Sequence, residues 1–404
     1  MELFKDPKFD FLGKKRWFIA LSLLLMGVGA ASLIIKGGPR YGIDFRGGIE
    51  MYVRFVQLPP IDQIRAAISR QVKGEVMVQE VVGHNEVLVS LEMRSEEELA
   101  QARQEMIQAL AARFAPDPTK PDLNNSGTEA ITAGLRQAVI ERGLPLSDEE
   151  IQQIAARIRE FRDTPPRSGL IRDFQELTQV QGVTPQVIAA LRERFTLAPF
   201  TIQSVEIVGP KIGEELRHQA LMATLLALGG MLVYIAFRFE WIYGVAAVVA
   251  VFHDVWITLG LFSLTNREIS LTVVAALLTL VGYSMNDTIV IFDRVRENLK
   301  ILKRMPFEQL VNLSVNQTLN RTVLTSGLTF LTVLALFLFG GPVLNNFAFA
   351  LVVGIIVGTY SSVFIASPIV VFWQNFSEGR KKAPVSARTT PSGREVKGSV
   401  KTAR

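Results

Sequence analysis

Residues 271–292 read LTVVAALLTLVGYSMNDTIVIF, a predominantly apolar run holding one charged side chain, Asp287. A helix crosses a hydrocarbon core of about 30 Å with roughly 20 residues at about 1.5 Å each, so this run is long enough to span a membrane. A charge at the centre of such a helix costs at least about 2.5–3.5 kcal/mol on insertion scales, so Asp287 must face protein or water rather than lipid. Five further runs of the same kind occupy residues 17–35, 220–237, 242–264, 323–339 and 347–373. The sequence thus predicts an all-α membrane bundle of six helices, with one large domain, residues 36–218, between the first and the second.

The chain averages conceal this division. A formal charge of +5 over 404 residues and a mean hydropathy of +0.28 combine long apolar runs with an ordinarily charged domain. Cysteine is absent from the sequence, which excludes disulfide staples and thiolate metal sites. Lys14, Lys15 and Arg16 precede the first run and Gly29, Ala30 and Ala31 lie near its end, as in a signal peptide. The run is longer than the usual h-region and reads as a retained span.

Basic residues set the orientation. They cluster at 14–16, at Arg238, at Arg294, Arg296, Lys300, Lys303 and Arg304, and at Arg380, Lys381 and Lys382, all on one side if the helices alternate. The opposite short connections, 265–270 and 340–346, hold only Arg267. The positive-inside rule therefore makes the N-terminus (1–16), the 293–322 loop and the tail (374–404) cytoplasmic, and places domain 36–218 outside. The tail is rich in Lys, Arg, Ser and Thr and reads as disordered, either solvated or touching anionic lipid headgroups at about 1 kcal/mol per basic residue.

The external domain is expected to be α+β. Strand-like runs at 49–56, 75–82, 86–92 and 200–208 alternate with helical runs at 59–73 and 95–114. Gly83, His84 and Asn85 form the expected turn, and Ser95 with Glu98 a capping box. The order strand, helix, strand, strand, helix, strand suggests a ferredoxin-like sandwich. Residues 115–199, set off by Pro116, Pro118, Pro121, Pro165 and Pro166, read as an insert of polar helices. Within it, residues 177–192 weakly resemble a helix-hairpin-helix unit; an external location favours a protein-contact or spacer module over nucleic-acid binding.

Few polar groups lie in the spans. Tyr283 and Ser284 precede Asp287 by one turn and Asn286 adjoins it, a polar notch in an aliphatic helix. Asp254, preceded by His253, lies near the middle of the third span. Neighbouring helical residues point about a quarter-turn apart and chelate one ion poorly, so no metal site is expected. Asp254 reads either as a packed, hydrogen-bonded acid or as a support for proton movement. Arg321 ends the polar approach to the fifth span, near the level of Asp287. An acid with a movable counter-charge is a proton relay in outline: ionised while the base faces it, and able to collect a proton once the base withdraws. A permanent ion pair pinning the helices is the equal alternative. No phosphate loop or dinucleotide fingerprint is present, so energy must come from a partner or the membrane gradient, and no cofactor is expected.

Residues 41–48 (YGIDFRGG), 208–216 (VGPKIGEEL), 237–241 (FRFEW), 282–288 (GYSMNDT), 292–298 (FDRVREN) and 316–322 (NQTLNRT) occur in an order that resembles the SecF family of bacterial protein-export membrane subunits. Individually, Gly42, Gly47 and Gly48, with Asp44 in the same motif, read simply as glycines that permit a tight passage from membrane to strand, and Gly209-Pro210 as a break between strand and helix. The resemblance implies one half of a resistance-nodulation-division (RND) superfamily unit. Such a chain pairs with SecD, attaches to the SecYEG channel and uses proton motive force to draw preproteins outward after SecA-driven steps. The implied location is the bacterial inner membrane, with the large domain periplasmic. Asp287 and Arg321 match the family's proton-relay residues. The expected role is a translocation helper, not an enzyme; a superfamily exporter of small molecules or lipids is the alternative. The insert at 115–199 departs from the family pattern.

Overall fold

The computed structural model describes residues 7–81, 85–93, 95–238 and 240–381. The chain forms α1 (Lys15–Ile35), α2 (Ile43–Arg46), β1 (Gly48–Phe55), α3 (Ile61–Ser69), β2 (Val76–Val81), β3 (Glu86–Glu92) and α4 (Glu96–Phe114). There follow α5 (Thr128–Arg142), α6 (Asp148–Asp163), α7 (Pro185–Arg194), β4 (Phe200–Val208), α8 (Pro210–Arg238), α9 (Trp241–Leu264), α10 (Leu271–Ile301), α11 (Phe307–Phe339), α12 (Gly341–Ser361) and α13 (Ser367–Lys381).

Among the described residues, six helices are long and apolar enough to cross a membrane, the last made of α12, a π-helical turn (Ser362–Ala366) and α13. The most apolar stretches of α9 and of that last span are 56% and 67% buried, whereas that of α8 is 6% buried. α9, α10 and α12 are therefore the centre of the bundle, and α8 lies at its rim. Small residues let the central helices approach closely, the usual membrane solution. A Cβ on Gly29 of α1 would lie 2.8 Å from the Gly260 Cα of α9, and one on Gly358 of α12 would lie 3.1 Å from the Ser284 Cβ of α10.

The helices outrun the apolar limits. α10 continues to Ile301 and α11 begins at Phe307, so the segment 293–322, expected as a loop, is helical except for residues 302–306. Val295, Leu310, Val311 and Val315 are buried there, and Asn298 Nδ2 donates to Ser314 Oγ at 2.8 Å. Amphipathic turns pack the two helices together where hydropathy alone registers only polarity. The N-terminal segment lies on this extension: Asn316 Oδ1 accepts from the Phe9 N–H at 2.9 Å, and Lys15 pairs with Glu308.

The sheet has the order β2-β3-β1-β4, with antiparallel neighbours throughout. Side chains alternate between faces. Ile49, Met51, Val53, Val87, Val89 and Leu91 pack against Ile64 and Ile68 of α3 and Leu99, Met106 and Leu110 of α4. Glu50, Tyr52, Leu88 and Ser90 lie on the other face, toward the bundle. Ser95 is the N-cap of α4 by backbone geometry (φ −119°, ψ 130°), but its side chain makes no capping bond, so the expected capping box does not form. Of the expected turn only Asn85 is described; Gly83, His84, Phe239 and the tail beyond residue 381 lie outside the described residues.

The insert has a core of its own, from Leu123 to Phe195, built by α5, α6 and α7. Its ends pair with each other, Leu123 N–H donating to the Thr196 carbonyl at 2.9 Å. The turn of the helix-hairpin-helix resemblance forms at Gly182 (φ +90°), where the Arg157 guanidinium of α6 donates to the Gln181 carbonyl at 3.1 Å. That turn is packed against α6.

Gly29→Leu should force α1 off α9, lowering stability in detergent by about 1–3 kcal/mol. Gly27→Leu should change little, since a Cβ there meets nothing within 4 Å. Thermal unfolding of the two variants checks the pair.

Candidate functional site

Two acids are enclosed in the bundle. Asp254 of α9 is 0% exposed, and Asp287 of α10 is 3% exposed. Around Asp254 the partners are complete. Its Oδ1 meets His253 Nδ1 at 2.8 Å, and its Oδ2 accepts from Ser284 Oγ of α10 at 2.5 Å and Ser361 Oγ of α12 at 2.8 Å. With Asp254 ionised, His253 Nδ1 carries the proton. Nε2 then accepts from Tyr360 Oη at 3.1 Å, and Tyr360 Oη meets Ser22 Oγ of α1 at 2.8 Å. One polar chain therefore crosses α1, α12, α9 and α10.

The π-turn sets the serines that close this network. It begins at Ser362, next to Ser361, and Ser362 Oγ meets Thr288 Oγ1 at 2.9 Å. Such bulges rotate the residues that follow and recur at functional sites. The Ser361-Ser362 pair inside an apolar run was the available sequence signal for it.

Asp287 has fewer ties. Its Oδ2 accepts from Ser326 Oγ of α11 at 2.9 Å. No hydrogen bond or ion pair joins it to Arg321, which lies on the exposed side of α11 and acts on the acid only through space. The permanent ion pair weighed as an alternative is therefore not formed, and Ser326, missed by the sequence reading, occupies the contact. The notch also divides. Ser284 turns to Asp254, Asn286 is exposed, and Tyr283 Oη is buried with no hydrogen-bond partner.

The exposed side carries a pattern. Ala275, Thr279, Gly282 and Asn286 form an exposed stripe along α10. On α11, Arg321, Thr325, Leu328 and Thr332 form another. Spacings of three and four residues place each set on one helix face.

The glycine motif is the joint between bundle and sheet. The Gly42 N–H donates to the Ile269 carbonyl at 3.0 Å, and the Ile269 N–H donates to the Arg40 carbonyl at 2.7 Å. Asp44 Oδ2 accepts from the Leu271 N–H at 2.7 Å, occupying the N-terminus of α10. Gly47 has φ +77°, and a Cβ on it would lie 2.7 Å from Pro210 Cα at the start of α8; on Gly48 it would lie 2.1 Å from the Leu91 carbonyl oxygen. α8 opens with the Gly213 N–H donating to the Gly209 carbonyl at 2.9 Å. Gly42, Asp44, Gly47, Gly48, Gly209 and Pro210 thus meet at one point where α8, α10 and β1 begin.

This is the architecture of a multi-pass membrane protein with a domain between its first two spans. A family model described as protein export membrane protein SecD/SecF, C-terminal, matches residues 187–376, and one described as the SecD/SecF GG motif matches residues 32–57. The protein translocase subunit SecF of Koribacter versatilis is 48% identical over 397 residues, covering 95% of this chain and 96% of that one. The chain belongs to the SecF family of protein translocase subunits. It is also 36% identical to the protein translocase subunit SecDF of Thermus thermophilus over 95% of its own length and 40% of that protein's. Among solved structures, SecDF of Thermus thermophilus, described as a translocon-associated membrane protein, is similar with a TM-score of 0.62 and 35% identity over 92% of this chain and 39% of that one.

Asp254→Ala removes the acceptor of three side chains and should destabilise the bundle by about 1–3 kcal/mol for each buried group left unpaired. Ser326→Ala leaves one buried acceptor, on Asp287, unpaired and should cost about 1–3 kcal/mol in all. Denaturant unfolding in mixed micelles should rank them in that order.

Proposed function

We propose that this chain, as a SecF-family subunit of the Sec translocase, forms one half of a proton-driven unit that completes protein translocation. The observation that carries the reading is the pairing of a buried, singly bonded Asp287 with an arginine on an uncovered polar helix face. Arg321 faces outward from a membrane helix, where lipid gives its guanidinium no partner, while Thr325 and Thr332 on the same face donate to carbonyls of their own helix. A second six-helix chain of the SecD type supplies that cover, and with it a counter-charge for Arg321. The coverage of 40% of a SecDF chain by nearly all of this one agrees with a half. It also favours this reading over a small-molecule or lipid exporter, whose two halves normally share one chain.

On this reading Asp287 takes up and releases the proton, and Arg321 is the movable counter-charge. Asp254, in its closed network, supports the geometry of α10. Tyr283, Ser284 and Asn286 flank the path. A proton falling through about 100 mV supplies roughly 2.3 kcal/mol, so several per cycle suffice to move a domain. The protein sits in the bacterial inner membrane with both termini cytoplasmic and residues 36–218 periplasmic, next to the SecYEG channel. There it acts on preproteins already engaged by SecA. Strand order β2-β3-β1-β4 supports a ferredoxin-like class for the sheet domain, and the separate core of the insert supports a spacer or protein-contact module.

Asp287→Asn should abolish the part of late export in vesicles that depends on the proton gradient, while leaving the SecA-driven part intact; unchanged export would remove the relay. Purification should bring down a second six-helix chain and channel subunits, and an active homo-oligomer alone would overturn the pairing.

A further inference from the structure

The connection between α9 and α10 sends one side chain up into the sheet. Glu268 is 2% exposed, and its Oε1 accepts from Gln79 Nε2 of β2 at 2.9 Å and Ser90 Oγ of β3 at 3.4 Å. Its other oxygen, Oε2, is buried with no hydrogen-bond partner and lies against Gly42. Ser90 stands directly opposite Glu50 in the β1–β3 register, and Glu50 stands opposite Glu206 on β4. The bundle therefore presses a carboxyl group against a sheet face that already carries one.

We infer that Glu50 and Glu268 form a proton-binding site at the joint, and that the shared proton latches the sheet domain onto the bundle. A carboxyl holding the proton becomes a donor, which is what the orphaned Oε2 lacks; two ionised carboxylates on either side of Ser90 repel each other.

The surroundings fit a site that titrates. Asp44 of α2 is committed to the α10 N-terminus, and Arg46 of α2 pairs with Glu92 of β3 at 3.0 Å. Arg40, on the segment before α2, is exposed, and Arg267 is turned away to Asn345 and Asn346. The same sheet face also carries Tyr52 and Arg54 of β1, Glu86 and Glu92 of β3 and Glu206 of β4; the Arg54 guanidinium lies 3.7 Å from the buried Glu86, and Arg46 holds Glu92. Burial, opposed by Ser90 and by the charges of Arg40 and Arg46, raises Glu268 to about 7. Burial, then the charges of Glu268, Glu206 and Asp44, raises Glu50 to about 8. Glu268 ionises first, and its charge holds the proton on Glu50.

The sign follows from linkage. Both values lie above 4.5, the ordinary value of a free glutamate. The docked form thus binds protons that the released form gives up. The latch is fully present below about 4.5 and is lost as pH rises through about 7 and then about 8. This holds whichever side of the membrane the domain occupies and does not depend on Asp287.

Amide hydrogen exchange of the full chain in nanodiscs, corrected for intrinsic rates, tests it. Protection of residues 76–81 and 265–270 should fall as pH rises from about 5 to 8 and level off above that, by up to about tenfold per pH unit for each linked proton. Glu50→Gln should make that dependence shallower and end it near pH 7, leaving only the Glu268 proton, while Glu80→Gln should keep it. Infrared titration of the unmodified chain gives a second measurement. A protonated-carboxyl band should disappear in two steps, near pH 7 and near pH 8, and the step near 8 should be missing from Glu50→Gln. A pH dependence equal in all variants, or no such band in the unmodified chain, would overturn the site. A band that titrates without any change in exchange would overturn the latch.

Discussion

Hydrocarbon offers no hydrogen bonds, so every charge and backbone group inside the membrane must find its partner in protein. That constraint orders the bundle. Asp254 sits where α9, α10 and α12 meet, because three helices are needed to bring it His253, Ser284 and Ser361. Gly358 and the π-turn exist in the same place for a related reason. One lets the backbone of α12 come close, and the other begins at Ser362, which meets Thr288 of α10 beside the Ser361 that bonds the acid. The closed network fixes the relative rotation of the central helices, and the rim helices hang on that frame.

Asp287 obeys the constraint less completely, and on the proposed reading this difference separates a structural acid from a working one. Replacing a serine hydrogen bond costs little beside dismantling a three-donor network. An acid held by one hydroxyl can change its partner as its proton comes and goes. The uncovered stripe carrying Arg321 places the remaining electrostatics at the edge of the chain, where, on the proposed reading, a second subunit enters.

Much of this was legible in the sequence, because hydropathy reports spans directly and period-two alternation reports strands. β3 and β4 fall on their expected residues, 86–92 and 200–208, and all six spans appear. Asp287 and Asp254 stood out as charges in apolar runs. Their partners did not, because serine is common in membrane helices and its direction depends on packing. Ser284 looked like a neighbour of Asp287 by spacing, yet it serves Asp254 on another helix. The helical 293–322 segment was missed because its buried face is half polar, with Asn298 and Ser314 in it. Glu268 was invisible for the opposite reason. A glutamate in a short connection reads as solvated, and only the sheet descending on it buries it.

α10 ties the levels together. Its first residue, Leu271, is held by Asp44, Glu268 lies three residues before it, and Asp287 lies sixteen residues after it, roughly 24 Å along the axis at about 1.5 Å per residue. Coupling between distant sites requires an element with two arrangements that both sites bias. α10 is fastened on its inner side by Ser284 and Thr288, and to α11 near Asp287 by Ser326. Rotation about the inner fastening is resisted, so a change of charge at Asp287 acts on the α10–α11 contact. A change at the joint acts on the α10 N-terminus, where the first turn is held through Asp44 and Ser270. The two acidic sites therefore bear on the N-terminus and the middle of one rigid helix. On the proposed reading, that is how a proton in the membrane comes to move a domain outside it.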